Sequence, residues 1–246
     1  MGPVPSADPR WRPRLSVPAG LRARYGLSAA QALEAWPLLY QREPELYELL
    51  VEGEPLHPRL FRELPLDGAR VLEVGAGTGR LTLPAAARAA EVYALEPVAA
   101  MREVLRRKLE ERGVTNVTLL DGRAEAVPLG DQSVDLAISA SAFGADPEHG
   151  GEDGLRELLR VTRRPGEVIV LWPDDPNWFM GHGFTHVAFE GELEVRFRDL
   201  ATAYRCAGIF YSPAVADHFR RTRRPVIPFA ALGVNVARDL CRLQIE

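Results

Sequence analysis

Lysine is almost absent from this chain: Lys108 is the only one in 246 residues, and every other fixed cation is arginine. That bias fits a GC-rich coding sequence or a heat-adapted host, although arginine preference is not a general thermophile rule. Neither explanation bears on activity. Cysteine is nearly as scarce. Cys206 and Cys241 lie far apart, with no CxxC spacing and no histidine cluster beside them. This excludes a disulfide framework or a zinc site, leaves two buried thiols, and gives no reason to expect a metal. No apolar run approaches the roughly 18 residues that a bilayer span needs. The first twenty residues are rich in proline and arginine and lack an apolar h-region, so they do not read as a secretory signal. A cytoplasmic protein without membrane contact is the expectation. The formal charge of −4 gives the molecule no overall attraction for nucleic acid.

What is present is enough chain for one α/β domain with additional structure. Residues 1–27 read as a flexible Pro/Arg-rich arm. Residues 28–65 read as an N-terminal helical extension or lid. Ser28 is placed to cap a helix from Ala29, with Leu33, Trp36, Leu39 and Tyr40 near helical spacing and Pro37 as a kink or division. Leu46, Leu49 and Leu50 mark a second helix, and Leu60 and Phe61 a short third. From 66 to 246 the pattern changes to short apolar runs alternating with amphipathic segments, as in a parallel sheet covered by helices.

Strands are expected at 71–74, 92–95, 117–120, 134–138 and 168–171, with helices at 80–88, 99–112 and 154–162. On the second of these helices Val104, Leu105 and Leu109 form the apolar stripe, and Arg106, Arg107 and Lys108 are assigned to water. After Trp172 the pattern is harder to read. Residues 193–197 alternate like a strand, and 200–206 look helical with Gly208 as C-cap. The end of the chain admits two readings: a last strand within 226–236, or a helix through Leu240 and Leu243.

The strongest signal is the run Val71-Leu-Glu-Val-Gly-Ala-Gly-Thr-Gly-Arg80. An apolar strand enters Gly75, Gly77 and Gly79, and a helix follows at once. Glycine lets the backbone take positive φ and approach a ligand closely, and the crevice beyond the strand's carboxyl end is where such sheets bind ligands. The spacing is G-x-G-x-G, not the G-x-G-x-x-G of dinucleotide enzymes, and Glu73 precedes the first glycine by two. A carboxylate is a poor neighbour for pyrophosphate and a good one for an ammonium group. About 20 residues further on, a second apolar strand ends in Glu96, where a carboxylate accepts hydrogen bonds from both ribose hydroxyls and repels a 2′-phosphate.

These residues resemble the class I S-adenosylmethionine (SAM)-dependent methyltransferases, particularly the small-molecule branch similar to ubiquinone-biosynthesis methyltransferases. The likeness covers roughly 60–171, with a weaker echo at 198–210. It implies a Rossmann-like, seven-stranded, mostly parallel sheet in the order 3-2-1-4-5-7-6, with strand 7 antiparallel and helices on both faces. It further implies SAM as methyl donor and S-adenosylhomocysteine as product. By position, Glu73, Gly75, Ala76, Gly77 and Gly79 line the methionine and ribose side. Glu96 holds the ribose, and Pro97 and Met101 pack near the adenine. The segment Gly122-Arg-Ala-Glu125 matches the family's G-D-A-E. Arg123 therefore stands where an aspartate normally accepts from the adenine amino group, leaving Asp121 or a backbone carbonyl for that task, while Ala124 offers its N–H. Ala140, at the end of the fourth strand, corresponds to the backbone that holds the methionine amino group.

No motif announces the methyl acceptor, because the cofactor carries the reactive group and the protein aligns its partner. Position nominates Asp174, His182 and His186 as candidate bases, and Trp36, Tyr40, Phe143, Trp172 and Trp178 as pocket walls. A small-molecule acceptor is the leading expectation. Two rivals are an RNA or protein methyltransferase using the arginines at 10, 12, 14, 220, 221, 223 and 224, and a SAM-binding scaffold without catalysis. Nucleic acid is disfavoured, since no RNA-binding module is visible and Trp11 alone interleaves the arginines, short of the series of aromatics that a single-strand binder stacks bases on.

Overall fold

A computed structural model describes residues 17–246. The chain opens with helices α1 (Ala19–Arg24), α2 (Ala35–Arg42), α3 (Pro44–Gly53) and α4 (Pro58–Glu63). The sheet begins with β1 (Arg70–Val74), α5 (Thr82–Ala86), β2 (Glu91–Leu95), α6 (Ala99–Glu111), β3 (Val117–Leu120) and β4 (Val134–Ala140). It continues through α7 (Gly151–Val161), β5 (Thr162–Leu171), α8 (Pro176–Gly181) and β6 (Thr185–Ala188). An insertion of β7 (Glu194–Arg196), α9 (Leu200–Phe210), α10 (Pro213–Thr222) and β8 (Val226–Pro228) precedes the final strand β9 (Asp239–Ile245).

The seven-stranded sheet runs β3-β2-β1-β4-β5-β9-β6. Strands β1 to β5 pair in parallel, and β9 enters antiparallel between β5 and β6. Both faces are covered. Val71, Val92, Ile138 and Ile169 pack to one side, and Leu72, Leu95, Ala137 and Val168 to the other. Burial on two faces is why these strands read as mainly apolar runs and not as alternating ones. The strand order and the antiparallel seventh strand agree with the expected methyltransferase fold.

The N-terminal helices and the insertion before β9 build one cap, which reaches the glycine loop at the carboxyl end of β1. α1 and α3 pack on α9, and α2 and α3 pack on α6. Trp36 of α2 stacks on Phe210 of α9, with ring centres 6.0 Å apart. Gly20 of α1 meets the backbone of α9 so closely that a Cβ there would fall 2.1 Å from the Gly208 carbonyl oxygen.

Several sequence expectations change. A helix, α1, forms within the span read as a flexible arm, because Leu21 is buried in the core. The first sixteen residues, including Arg10, Arg12 and Arg14, lie outside the described residues. Ser28 starts a 3-10 turn over Ala29–Glu34, where Ser28 Oγ donates to Gln31 Oε1 at 2.9 Å. The chain then divides at Ala35, and Pro37 sits in the first turn of α2, where its missing N–H has no helical partner to lose. Gly208 is not a C-cap: α9 runs on to Phe210. Both readings of the chain end are superseded. Residues 229–232 form a 3-10 turn, and 239–245 form the strand that carries Leu240 and Leu243.

Candidate cofactor site

β1 delivers the chain into a turn in which Gly75, Gly77 and Gly79 all take positive φ, at +72°, +57° and +94°. A Cβ on Gly75 would lie 2.1 Å from that of Ala142, just beyond β4. Over Gly77 the nearest atoms to such a Cβ are Met101 Cε at 3.7 Å and Tyr47 Cε1 at 3.9 Å. The loop is thus flanked by α6 on one side and by α3 of the cap on the other. Two backbone bonds, Gly75 N and Ala76 N to Leu95 O at 2.8 and 3.0 Å, tie it to the end of β2.

Glu96 sits at that strand end. Its Oε2 accepts the Gly77 N–H at 2.9 Å and its Oε1 the Val98 N–H at 2.9 Å. Burial pushes its carboxyl pKa upward, and the two N–H groups pull it back. A carboxylate oxygen has capacity beyond one bond, so both retain lone pairs for a diol.

Glu73 lies deeper, 2% exposed, and accepts the Thr82 hydroxyl at 2.6 Å. Desolvation drives its pKa to about 8, against the partial relief of the Thr82 bond and with added repulsion from Glu96. In the glycine loop, Thr78 Oγ1 is buried without a hydrogen-bond partner among the described residues.

On the adenine side, Met101 and Ala124 are buried, while Pro97 and Arg123 are exposed. The charge of Arg123 reaches Glu96 and favours its ionised form. Asp121 is already engaged: Arg102 grips its two oxygens at 2.8 Å each and also donates to the Glu96 carbonyl at 2.5 Å. Ala140 is half-buried at the end of β4.

The five aromatics assigned to the acceptor pocket do not stay together. Trp36, Tyr40 and Trp172 belong to the core on the cap side of the sheet. Phe143 and Trp178 belong to the opposite face, where they pack edge-on with Phe179. Ser141, at a φ of +58°, turns the chain between Ala140 and Phe143. Trp172 is fully buried. Its Nε1 donates to the Asn235 carbonyl at 3.1 Å, and Arg80 lies over its ring at 5.4 Å.

Among the candidate bases, His182 has Nδ1 against the Trp178 carbonyl at 2.8 Å and Nε2 against Glu152 at 2.9 Å. Both ring nitrogens are thus engaged by neighbouring groups. His186 lies on the edge strand β6, with Nε2 3.0 Å from Asp239. Asp174 is half-buried just after β5. Its neighbour Asp175 is the N-cap of α8, accepting from Asn177 and Trp178 N–H.

Sequence reasoning missed two links between cap and loop. Lys108, assigned to water, is only 17% exposed and donates to the Thr78 carbonyl at 2.7 Å and to Glu48 of α3 at 2.5 Å. The packing of α3 on α6 draws it inward. Arg80 donates to the Glu54 carbonyl at 3.2 Å, and the Glu54 carboxylate is hydrogen-bonded by Tyr211, which follows α9. The spacing of Lys108 within α6 carries no signal of a partner 60 residues away.

The site therefore offers a buried acid at the strand end, a glycine cradle, an orphaned hydroxyl and a second acid with lone pairs for a diol. These donors and acceptors fit a ligand that carries both a cation and a ribose.

The methyltransferase domain family matches this chain over residues 71–166. The uncharacterized methyltransferase Rv3342 of Mycobacterium tuberculosis is 39% identical over 123 residues, covering 49% of this chain and 47% of the relative. An uncharacterized methyltransferase-like protein of Schizosaccharomyces pombe, C25B8.10, is 35% identical over 103 residues, covering 42% and 37%. The chain spans about half or less of the length of these curated relatives. In structure it is similar to the [4+2]-cyclase SpnF, with a TM-score of 0.53 and 18% identity over 84% of this chain and 94% of that one. That likeness speaks for the fold alone. The matched span contains the glycine loop, the acid-ended second strand and three of the five parallel strands whole, and the sheet order around it is that of the class I SAM-dependent methyltransferase fold.

Proposed function

We propose that this protein transfers a methyl group from SAM to a small molecule, releasing S-adenosylhomocysteine. The observation that carries the reading is the glycine loop beneath a cap drawn from the N-terminal helices and the insertion before β9, with Tyr47 over Gly77 and Arg80 over the Trp172 ring just after β5. Bound SAM supplies an electrophilic methyl group. Glu73 faces the ammonium end, Glu96 the ribose hydroxyls, and Met101 and the Ala124 N–H the adenine. Arg123, exposed beside Glu96, stacks on the base instead of accepting from its amino group. Trp172, Tyr40 and Arg80 border the acceptor, and the cap excludes water from the transfer. Asp174 is the candidate base that lies at the right strand end.

A long polymer reaches poorly beneath such a cap, which supports a small acceptor over RNA. The exposed arginines of α10 do not alter this: Arg220 is paired with Asp217 on its own helix. The test is calorimetric titration with SAM and, separately, NAD, followed by methyl-label transfer to a panel of small acceptors and RNA. Saturable SAM binding and label on a small acceptor support the proposal. Failure to bind SAM, or label found on RNA alone with salt-sensitive binding, overturns it.

A further inference from the structure

We infer that Glu73 stands in the ligand-free site as a neutral acid, and that a cationic ligand bound over the glycine loop expels its proton to water, so that the site selects ligands by charge. The inference rests on the SAM reading and deepens it. Glu73 lies on the central strand, between Ala94 of β2 and Ile138 of β4 in register, both uncharged. From α5 it receives one hydroxyl bond, that of Thr82. From the end of β2 it feels the Glu96 carboxylate, which opposes a second negative charge.

The cations of the neighbourhood act elsewhere. Arg80 is on the Glu54 carbonyl and the Trp172 ring, Arg102 is on Asp121, and Lys108 is on Glu48 and the Thr78 carbonyl. A carboxylate buried this completely, with no compensating cation among the described residues, holds its proton, which is why its pKa rises to about 8.

An ammonium group brought against Glu73 reverses that balance. The O–H bond breaks, the proton leaves to solvent, and the carboxylate pairs with the arriving cation. A neutral ligand offers no such exchange. SAM affinity should then fall with pH below about 8, approaching tenfold per pH unit for one proton released. Above that value it should level off.

The experiment is calorimetric titration of SAM at pH 7 in phosphate and in Tris, whose ionisation enthalpies differ, on wild type and on Glu73→Gln. The difference between the two proteins isolates Glu73 from the ligand's own amine. Release of most of a proton by wild type and none by the variant is expected. A neutral adenosine ligand on wild type, which needs no variant to fold, should release none. The ligand-free state is checked by carbon-13 NMR of labelled glutamate, in which Glu73 should titrate near pH 8. SAM binding without proton release, or a Glu73 that titrates near the ordinary 4.5, overturns the inference and leaves the SAM reading standing. Absence of SAM binding overturns both.

Discussion

Glu96 holds the backbone N–H of Gly77 at 2.9 Å, so the acid at the end of β2 fixes the middle of the glycine loop that β1 feeds. One side chain thus orders the loop and presents the acceptors for a ribose. Replacing it with alanine removes both, and leaves the Gly77 N–H for water to satisfy. Glu96→Ala should weaken SAM binding by about 1–3 kcal/mol, which is roughly 5- to 150-fold in Kd. Calorimetry against wild type reads this directly; an unchanged Kd would remove Glu96 from the site.

Gly77 takes φ of +57° with Met101 and Tyr47 at van der Waals distance from where a side chain would start. A β-branched residue meets the backbone strain of that region, of order 1–3 kcal/mol, and fills the approach to the loop. Gly77→Val should retain the circular dichroism of the fold and lose measurable SAM binding. A folded variant that binds SAM as wild type does would place the ligand elsewhere.

Lys108 joins α6, the Thr78 carbonyl and Glu48 of the cap through one ammonium group. Lys108→Met keeps the aliphatic stem and leaves a half-buried Glu48 without its cation. The expected cost is about 1–3 kcal/mol, concentrated in the cap. Hydrogen exchange should show lost protection in α3 with β1 and β4 unchanged, and SAM should dissociate faster. Uniform loss across the sheet would mean that Lys108 supports the whole domain and not the contact of cap with loop.

The parts of this molecule that were legible in its sequence are those whose partners lie on adjacent elements. The runs at 71–74 and 92–95 are apolar on both faces but for the buried Glu73, because both faces are covered, and the glycines follow at the spacing a close-approach turn requires. β9 misled for the same reason. Leu240 packs into one core and Cys241 into the other, so no alternation marks the strand, while Leu240 and Leu243 stand at a helical interval by accident. Lys108 and the aromatics failed differently. An amphipathic pattern reports which face of α6 meets the sheet, not that α3 will cover part of the remainder. Nor does the order Phe143, Trp172, Trp178 report that the turn at Ser141 sends Phe143 to the face away from the cap.

Glu73 should make the ligand-free protein less stable as pH rises. Its pKa is about 8 when folded and ordinarily 4.5, so between those values the folded chain holds a proton that the unfolded chain has released. Stability therefore falls from about pH 4.5 to pH 8, and the penalty is complete above that. Its full size is on the order of a few kcal/mol. Glutamine matches the neutral acid in shape, can still accept from Thr82 and does not titrate. Without ligand, Glu73→Gln should unfold at a higher urea concentration than wild type at pH 8–9, and the two should converge near pH 5. SAM should reverse the order at high pH, because it stabilises the form that pairs with its cation. Parallel stability curves from pH 5 to 9 would mean that Glu73 is ionised in the folded state throughout, with a counter-charge at the carboxyl end of β1.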